Sequence, residues 1–456
     1  MPLPPDLLSA CTGASGRLAI VIGAGCSVEP PTSLPTSGAC AQRAHDLLVL
    51  DGVLNHGDCA DPTNLEVLAD AVDNKEELVN RLPVDAFRNA TPNLGHKILA
   101  ALIGEQVVGN ILTTNFDLAI TTAISIAGID HVSTLSGPED HSKLGNSNLI
   151  YLHRHAYSSA KDWVLTSEEV TEGWRDAWEQ IMSTLVLSSP FIVFAGMGTL
   201  IGVLMTSVEK IRAAIPEGVR IFQVDCAPSA ESNVFTTLGI AEDDYIQKGW
   251  IDFTVQLGSR VNQSHILDLN QACQTMTTEN GWNDQDVLQV TQCFSDAGLW
   301  EFGRARATWF MHDGNYCPWR TLQPAWVADL TLGIEMIASE LNATVSLTST
   351  GDIEFIDENG HVYSIGCIHG RGIRRWAQLN SLVVERVRTY RQNAVAQTRY
   401  LVAGVQGPPI DQLTPPSDII RERPVSDILV PAVAYSFLDV DRIRDGSVTA
   451  RDALMP

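Results

Sequence analysis

The first 260 residues alternate short apolar runs with longer amphipathic stretches, and this alternation narrows the fold more than any other feature of the chain. Strands buried on both faces of a parallel sheet read as continuous apolar runs, and the stretches between them must be long enough to cross back as helices. The runs are Leu18-Ala-Ile-Val-Ile22, Val108-Gly-Asn-Ile-Leu112, Leu149-Ile-Tyr-Leu152, Phe191-Ile-Val-Phe194 and Ile221-Phe-Gln-Val224. They predict an α/β, Rossmann-like, doubly wound parallel sheet. Between them, Asn64 to Val72 carries Leu65, Leu68 and Val72 at helical spacing, and residues 73 to 95 also read as helical, a small cap over the sheet. No charged residue lies between Glu179 and Glu209, a run longer than the roughly 20 residues that span a membrane. Ser188-Ser189-Pro190 interrupts it, so helix, strand and helix in succession are expected instead, and no membrane association.

Beyond residue 260 the texture changes. Trp300, Trp309, Trp319 and Trp326 crowd one interval, and no lysine follows Lys248. Two domains are therefore expected, 1–260 and 261–456, the second α+β in character: a helix from Trp326 to Leu341, strands at Thr344 to Leu347, Ile353 to Ile356 and His361 to Ile368, a long helix from Gly372 to Ala396, and a strand at Tyr400 to Ala403. The formal charge is 30 − 54 = −24, divided as 15 − 31 = −16 before residue 261 and 15 − 23 = −8 after it. Neither part has the overall basic footprint of a nucleic-acid binder. The nine cysteines are scattered without a C-x-x-C pair, which argues against a disulfide framework or a four-cysteine zinc site. With an N-terminus that lacks a basic start and an apolar core, Met1-Pro-Leu-Pro-Pro-Asp6, this points to the cytoplasm.

Three segments carry chemistry. Gly23-Ala24-Gly25-Cys26-Ser27 directly follows the first strand, where glycines let the backbone approach a phosphate and the next helix would offer its N–H groups. Val28 stands where the dinucleotide fingerprint has its third glycine, which disfavours an ordinary Rossmann dehydrogenase. Leu112-Thr113-Thr114-Asn115-Phe116-Asp117 closes another strand, at the edge where open parallel sheets bind ligands, and an asparagine there can orient a ribose or a water. Tyr151-Leu152-His153-Arg154-His155 puts a histidine at the end of a third, available for proton transfer.

In this order the three segments resemble the G-A-G-x-S, T-x-N-x-D and L-H-G motifs of the sirtuin fold family, arranged around a bound NAD. Leu34-Pro35-Thr36, Val164-Leu165-Thr166 and Phe194-Ala195-Gly196-Met197-Gly198 extend the resemblance over roughly residues 10 to 257. It departs at Arg154, which replaces the glycine after the histidine, and at Ser33, which replaces the glycine before Leu-Pro. These departures leave both His153 and His155 as candidate bases, with His153 favoured because it directly follows Leu152. The resemblance implies NAD as substrate, with no metal. Gly23, Ala24, Gly25 and Ser27 would hold the pyrophosphate, with Thr114, Gly196 and Gly198 also facing the nucleotide. Asn115 and Asp117 would position the nicotinamide ribose and the attacking water, and His153 would act as base or as acceptor for a ribose hydroxyl. Asp225, which ends the strand at Val224, is a candidate for the adenosine ribose.

Without the cysteine module usual in the family's protein deacylases, the pattern is closer to bacterial sirtuin-like defence effectors that hydrolyse NAD to nicotinamide and ADP-ribose. An NAD-dependent deacylase and a non-catalytic NAD- or ADP-ribose-sensing scaffold are the alternatives. The same resemblance implies a homo-oligomer, with a HerA-like ATPase or another defence partner, and a regulatory, assembly or partner-binding role for 261–456. That segment also has the outline of a restriction-endonuclease-like fold, with an acid near Asp352 or Glu354. Gly366-Cys367-Ile368 lies where its E-x-K would be, so the nuclease outline is degenerate. Arg371, Arg374, Arg375, Arg386, Arg388 and Arg391 along the long helix could grip nucleic acid or an acidic partner.

Overall fold

Five consecutive apolar residues, none more than 1% exposed, form β1 (Leu18–Ile22) at the centre of a seven-stranded sheet. The computed structural model describes residues 3–12, 16–171, 178–198, 202–214, 218–280, 288–310, 316–370, 376, 379, 398–405 and 435–454. The chain divides into two compact units, Met1–Val261 and Asn262–Pro456.

In the first unit the other strands are β2 (Val108–Thr113), β3 (Val132–Leu135), β4 (Ser147–Tyr151), β5 (Phe191–Ala195), β6 (Arg220–Asp225) and β7 (Tyr245–Gln247). Their order is β3-β4-β2-β1-β5-β6-β7 and every pairing is parallel, so the fold is the doubly wound Rossmann-like sheet that the apolar runs predict. From β1 the chain adds β2 beside it, β3 at the edge and then β4 between them, and returns to build the other side from β5. This reversal at β1 opens the crevice in which such sheets place ligands. Ile22 lies beside both Thr113 and Ala195, and Thr113 lies beside Tyr151, which brings the ends of four strands to one level.

Side chains alternate between faces along each strand. Ala19, Val21, Leu112, Ile150, Ile192 and Phe194 share a core with Met182, Val186 and Leu187 of helix Trp178–Leu187 and with Leu204, Val208 and Ile211 of helix Gly202–Ala214. The charge-free run is thus helix, strand and helix, and no helix among the described residues is long and apolar enough to cross a membrane. A set of helices between β1 and β2 makes a second core, in which Ala41, Ala44, Leu48, Leu68, Leu78 and Phe87 meet Trp163 and Leu165. Three of these helices start at a side-chain cap: Thr36 accepts from Ala39 N, Asn64 from Glu66 N and Val67 N, and Asn74 from Glu76 N.

The second unit holds a five-stranded sheet in the order β12-β11-β10-β9-β8, where β8 is Thr344–Leu347, β9 Ile353–Ile356, β10 Val362–His369, β11 Thr398–Ala403 and β12 Tyr435–Asp439. β8, β9 and β10 pair antiparallel, whereas β10, β11 and β12 pair parallel. Asp352 precedes β9, Glu354 lies opposite Ser364, and Gly366, Cys367 and Ile368 run along the buried part of β10. Helix Pro324–Leu341 packs through Val327, Leu330, Ile334 and Ile337 into a core with Phe294, Phe302, Trp309 and Trp319, and with Trp300 also buried three of the four crowded tryptophans are interior residues. The predicted helix from Gly372 to Ala396, with its five arginines and Arg371 just before it, lies outside the described residues apart from Trp376 and Leu379.

Candidate functional site

β1 does not run straight into a long helix. Gly23 leads into a single 3-10 turn, Ala24–Ser27, and the next α-helix begins only at Ser37. The expected helix N-terminus beside the glycine loop is therefore replaced by this one turn. Ala24 opens the turn, so its N–H has no partner within it. The glycines are needed because two loops touch. Gly23 N donates to Ala195 O (2.9 Å) and Gly25 N donates to Gly196 O (2.8 Å). A Cβ on Gly23 would lie 2.6 Å from Gly196 O, and one on Gly25 would lie 2.8 Å from Gly196 Cα. Gly196 has φ +63, and a Cβ there would meet Cys26 N at 2.5 Å. Gly198 is different, with nothing within 4 Å of its Cβ position.

Beside this double loop lies a buried polar network. Ser27 Oγ donates to Asp117 Oδ2 (2.8 Å), whose other oxygen accepts from Ala119 N (3.0 Å). Asn115 Nδ2 donates to Gly23 O (3.1 Å) and reaches Ser27 Oγ (3.4 Å), while Asn115 N donates to Thr113 Oγ1 (3.0 Å). The acceptor carbonyl of Gly23 fixes which way the amide faces. Asn115 Oδ1 then accepts no hydrogen bond from the described residues, and it stands at the level of the four strand ends. Ser27 is 2% exposed and is committed to Asp117. Burial pushes the Asp117 carboxyl above the usual range, opposed by the donors Ala119 N, Ser27 and Asn115. Thr114 N donates to Ile22 O (3.2 Å) and ties the end of β2 to β1.

His153 lies two residues beyond Tyr151, as Asn115 lies two beyond Thr113, on neighbouring strands in register. Its ring is 6.5 Å from that of Phe116, which stacks on Trp163 at 4.2 Å. Burial in these aromatic surroundings lowers its pKa to about 4, so at neutral pH the imidazole is uncharged and accepts hydrogen bonds. His155 packs edge-on against Tyr151, and its Nδ1 accepts from Tyr157 N within its own loop (3.3 Å). Of the two histidines, His153 is the one beside the segment that carries Asn115 and Asp117.

Asp225 closes β6, two strands from the glycine loop. Its Oδ1 accepts from Ala227 N (3.0 Å), and it is partly exposed. The proposed residues are thus carried at one edge of five adjacent strands, β4, β2, β1, β5 and β6. No group of three His, Cys, Asp or Glu side chains placed to hold a metal occurs among the described residues.

The sequence reading missed Asn93. It is fully buried, and its Nδ2 donates to Cys26 O (2.9 Å) and Glu29 O (3.2 Å), which pins the loop after the 3-10 turn. Its Oδ1 accepts from His96 N (3.1 Å), and its own N–H donates to Thr32 Oγ1 (2.9 Å). The legible signal was an asparagine just before the apolar run Leu94–Gly104, the pattern of a helix cap. Nothing in that pattern told of its second bond set, which reaches more than 60 residues back.

No protein-family model and no curated protein matches the chain. Among solved structures it is similar to a mutant Sir2 homologue in complex with ADP ribose, at 17% identity and a TM-score of 0.35, with 57% of this chain and 97% of that chain covered. It is also similar to a Sir2 homologue in complex with NAD, at 16% identity and a TM-score of 0.34, with 57% and 94% covered. A Sir2 complex with a p53 peptide and NAD shares 15% identity at a TM-score of 0.33, with 55% and 95% covered.

Proposed function

We propose that the first unit is an NAD glycohydrolase, cleaving NAD with water to nicotinamide, ADP-ribose and a proton. The observation that carries this reading is the Asn115 amide. Its N–H side is spent on the glycine loop and Ser27, which leaves Oδ1 fixed at the strand edge with no hydrogen bond from the described residues. The bond from ribose to nicotinamide breaks through an oxocarbenium-like state, as in glycoside hydrolysis. A fixed carbonyl oxygen can hold a ribose hydroxyl or the incoming water, with the buried Asp117 carboxyl behind it in the same network. His153, uncharged at neutral pH, accepts a hydrogen bond from the ribose or the water. The loops of Gly23 to Ser27 and Gly196 to Gly198 would lie along the pyrophosphate, and Asp225 would take the adenosine ribose. In the same reading residues 262–456 serve assembly or partner binding.

The test is product analysis of the purified full chain, with NAD alone and with NAD plus an acetyl-lysine peptide. Equimolar nicotinamide and ADP-ribose without peptide is the expected result. Nicotinamide release that requires the peptide and removes its acetyl group would favour the deacylase instead. Binding of NAD or ADP-ribose without turnover under any condition would favour the scaffold.

A further inference from the structure

Among the described residues, four that are not glycine have a positive φ, and two of them adjoin this site: Ser33 (φ 49) and Arg154 (φ 74). These are the two positions at which the chain departs from the glycines of the motifs it resembles. Both hold a left-handed backbone, the conformation that glycine adopts most readily, with a side chain in place. Ser33 is exposed. The Arg154 side chain is only 17% exposed, and its guanidinium pairs with Glu139. Glu139 belongs to the 3-10 turn Pro138–Lys143, itself held by Asp140, which accepts from Ser136 N (2.9 Å) and from Lys143 Nζ (2.7 Å). Burial pushes the Glu139 carboxyl up, but the Arg154 guanidinium together with a backbone N–H holds the group below the usual range. Gly137 completes the seat, because a Cβ there would overlap the guanidinium.

Stability alone gives little reason for an arginine here. A left-handed conformation costs a residue with a Cβ more than an ion pair with one well-exposed partner returns. Position gives a better reason. Leu152 N is bonded to Thr113 O (2.9 Å) and Ala156 N to Phe116 O (2.9 Å), which pins the chain on either side of His153–His155. Within that span the His153 carbonyl accepts a long bond from Val164 N (3.5 Å), and Arg154 supplies the bridge to Glu139.

We propose that Arg154 is a positioning residue: bridged to Glu139 and seated on Gly137, it locks the backbone immediately after His153 and so fixes where that imidazole points and how well it is kept from water. The inference rests on the proposed role of His153, and its test has a readout that needs no turnover. In the full chain, the His153 ring is titrated by NMR in wild type, Arg154→Gly, Arg154→Lys and Glu139→Gln, and kcat and KM for NAD are measured alongside. Glycine suits the backbone at 154, so Arg154→Gly is expected to keep the wild-type melting temperature. Its His153 titration should move up from about 4 by about one unit or more, toward the value of a hydrated imidazole, with kcat down about tenfold and KM little changed. Glu139→Gln should move both in the same direction, and Arg154→Lys should restore part of the loss. An unchanged His153 titration in Arg154→Gly overturns the proposal, whether or not the wild type hydrolyses NAD. An absence of turnover in the wild type, with the titration shifted as expected, would count against the hydrolase reading alone.

Discussion

At the scale of single residues, the proposed reaction separates groups that hold from groups that act. Ser27, Asp117 and the Asn115 N–H group are tied to one another and to the backbone, whereas Asn115 Oδ1 accepts no hydrogen bond from the described residues and the buried His153 ring lies beside Phe116. Asn115→Ala should lower kcat/KM for NAD by about 100-fold or more while the melting temperature shifts little, read by nicotinamide release and thermal unfolding. Asn115→Asp keeps the size but removes the donors to Gly23 O and Ser27 Oγ, so it should lose activity as well and leave the loop less ordered. Asn93 works at one remove. Asn93→Asp retains the cap on His96 N but loses both bonds to the loop carbonyls, so KM for NAD should rise several-fold, an outcome a mere helix cap would not give.

At the scale of elements, the two glycine-bearing loops are one structural unit. Gly196→Ala would impose a strained φ and a contact with Cys26 N, and a loss of about 2–4 kcal/mol in denaturant unfolding is expected. Gly198→Ala, with open space around it, should unfold like wild type, so any rise in KM it causes would report close approach of the nucleotide. The elements also show what was legible beforehand. β1, β2, β4, β5 and β6 each contain a mainly apolar run, and period and composition suffice to find them, to within two residues at each end. β3, β7 and β12 are edge strands of three to five residues, only partly apolar, and such strands are specified by their neighbours rather than by their own sequence. The glycine loop, Asn115, Asp117 and His153 could be picked out because each follows a strand. That Gly23 and Gly25 serve a contact with Gly196, some 170 residues away, is a tertiary fact that no local window contains.

At the scale of the whole molecule, the two units should respond to acid in opposite directions. His96 and His153 are both held near 4 by burial, below the 6.5 of an unfolded histidine. Their contribution is therefore present above pH 6.5 and lost as pH falls toward 4, about 2–3 kcal/mol for each. Asp329 in the second unit is raised to about 6 by burial first and by Asp441 and Asp439, against Arg444. A carboxyl raised in the fold costs stability above pH 6 and regains it as pH falls toward 4. Asp329→Asn should thus stabilise the second unit by about 2 kcal/mol at pH 7.5 and have no effect near pH 4. Calorimetric scans at pH 7.5 and 5.5 check both signs, and His96→Gln should flatten the slope of the first unit.

In the proposed reaction a fixed Asn115 carbonyl oxygen at the strand edge drives hydrolysis of NAD. Its most direct test is nicotinamide release from NAD by the purified full chain and by Asn115→Ala, with folding of both verified by circular dichroism. Release by the wild type, lost in a folded Asn115→Ala, is the predicted result; equal release by the two proteins would contradict it.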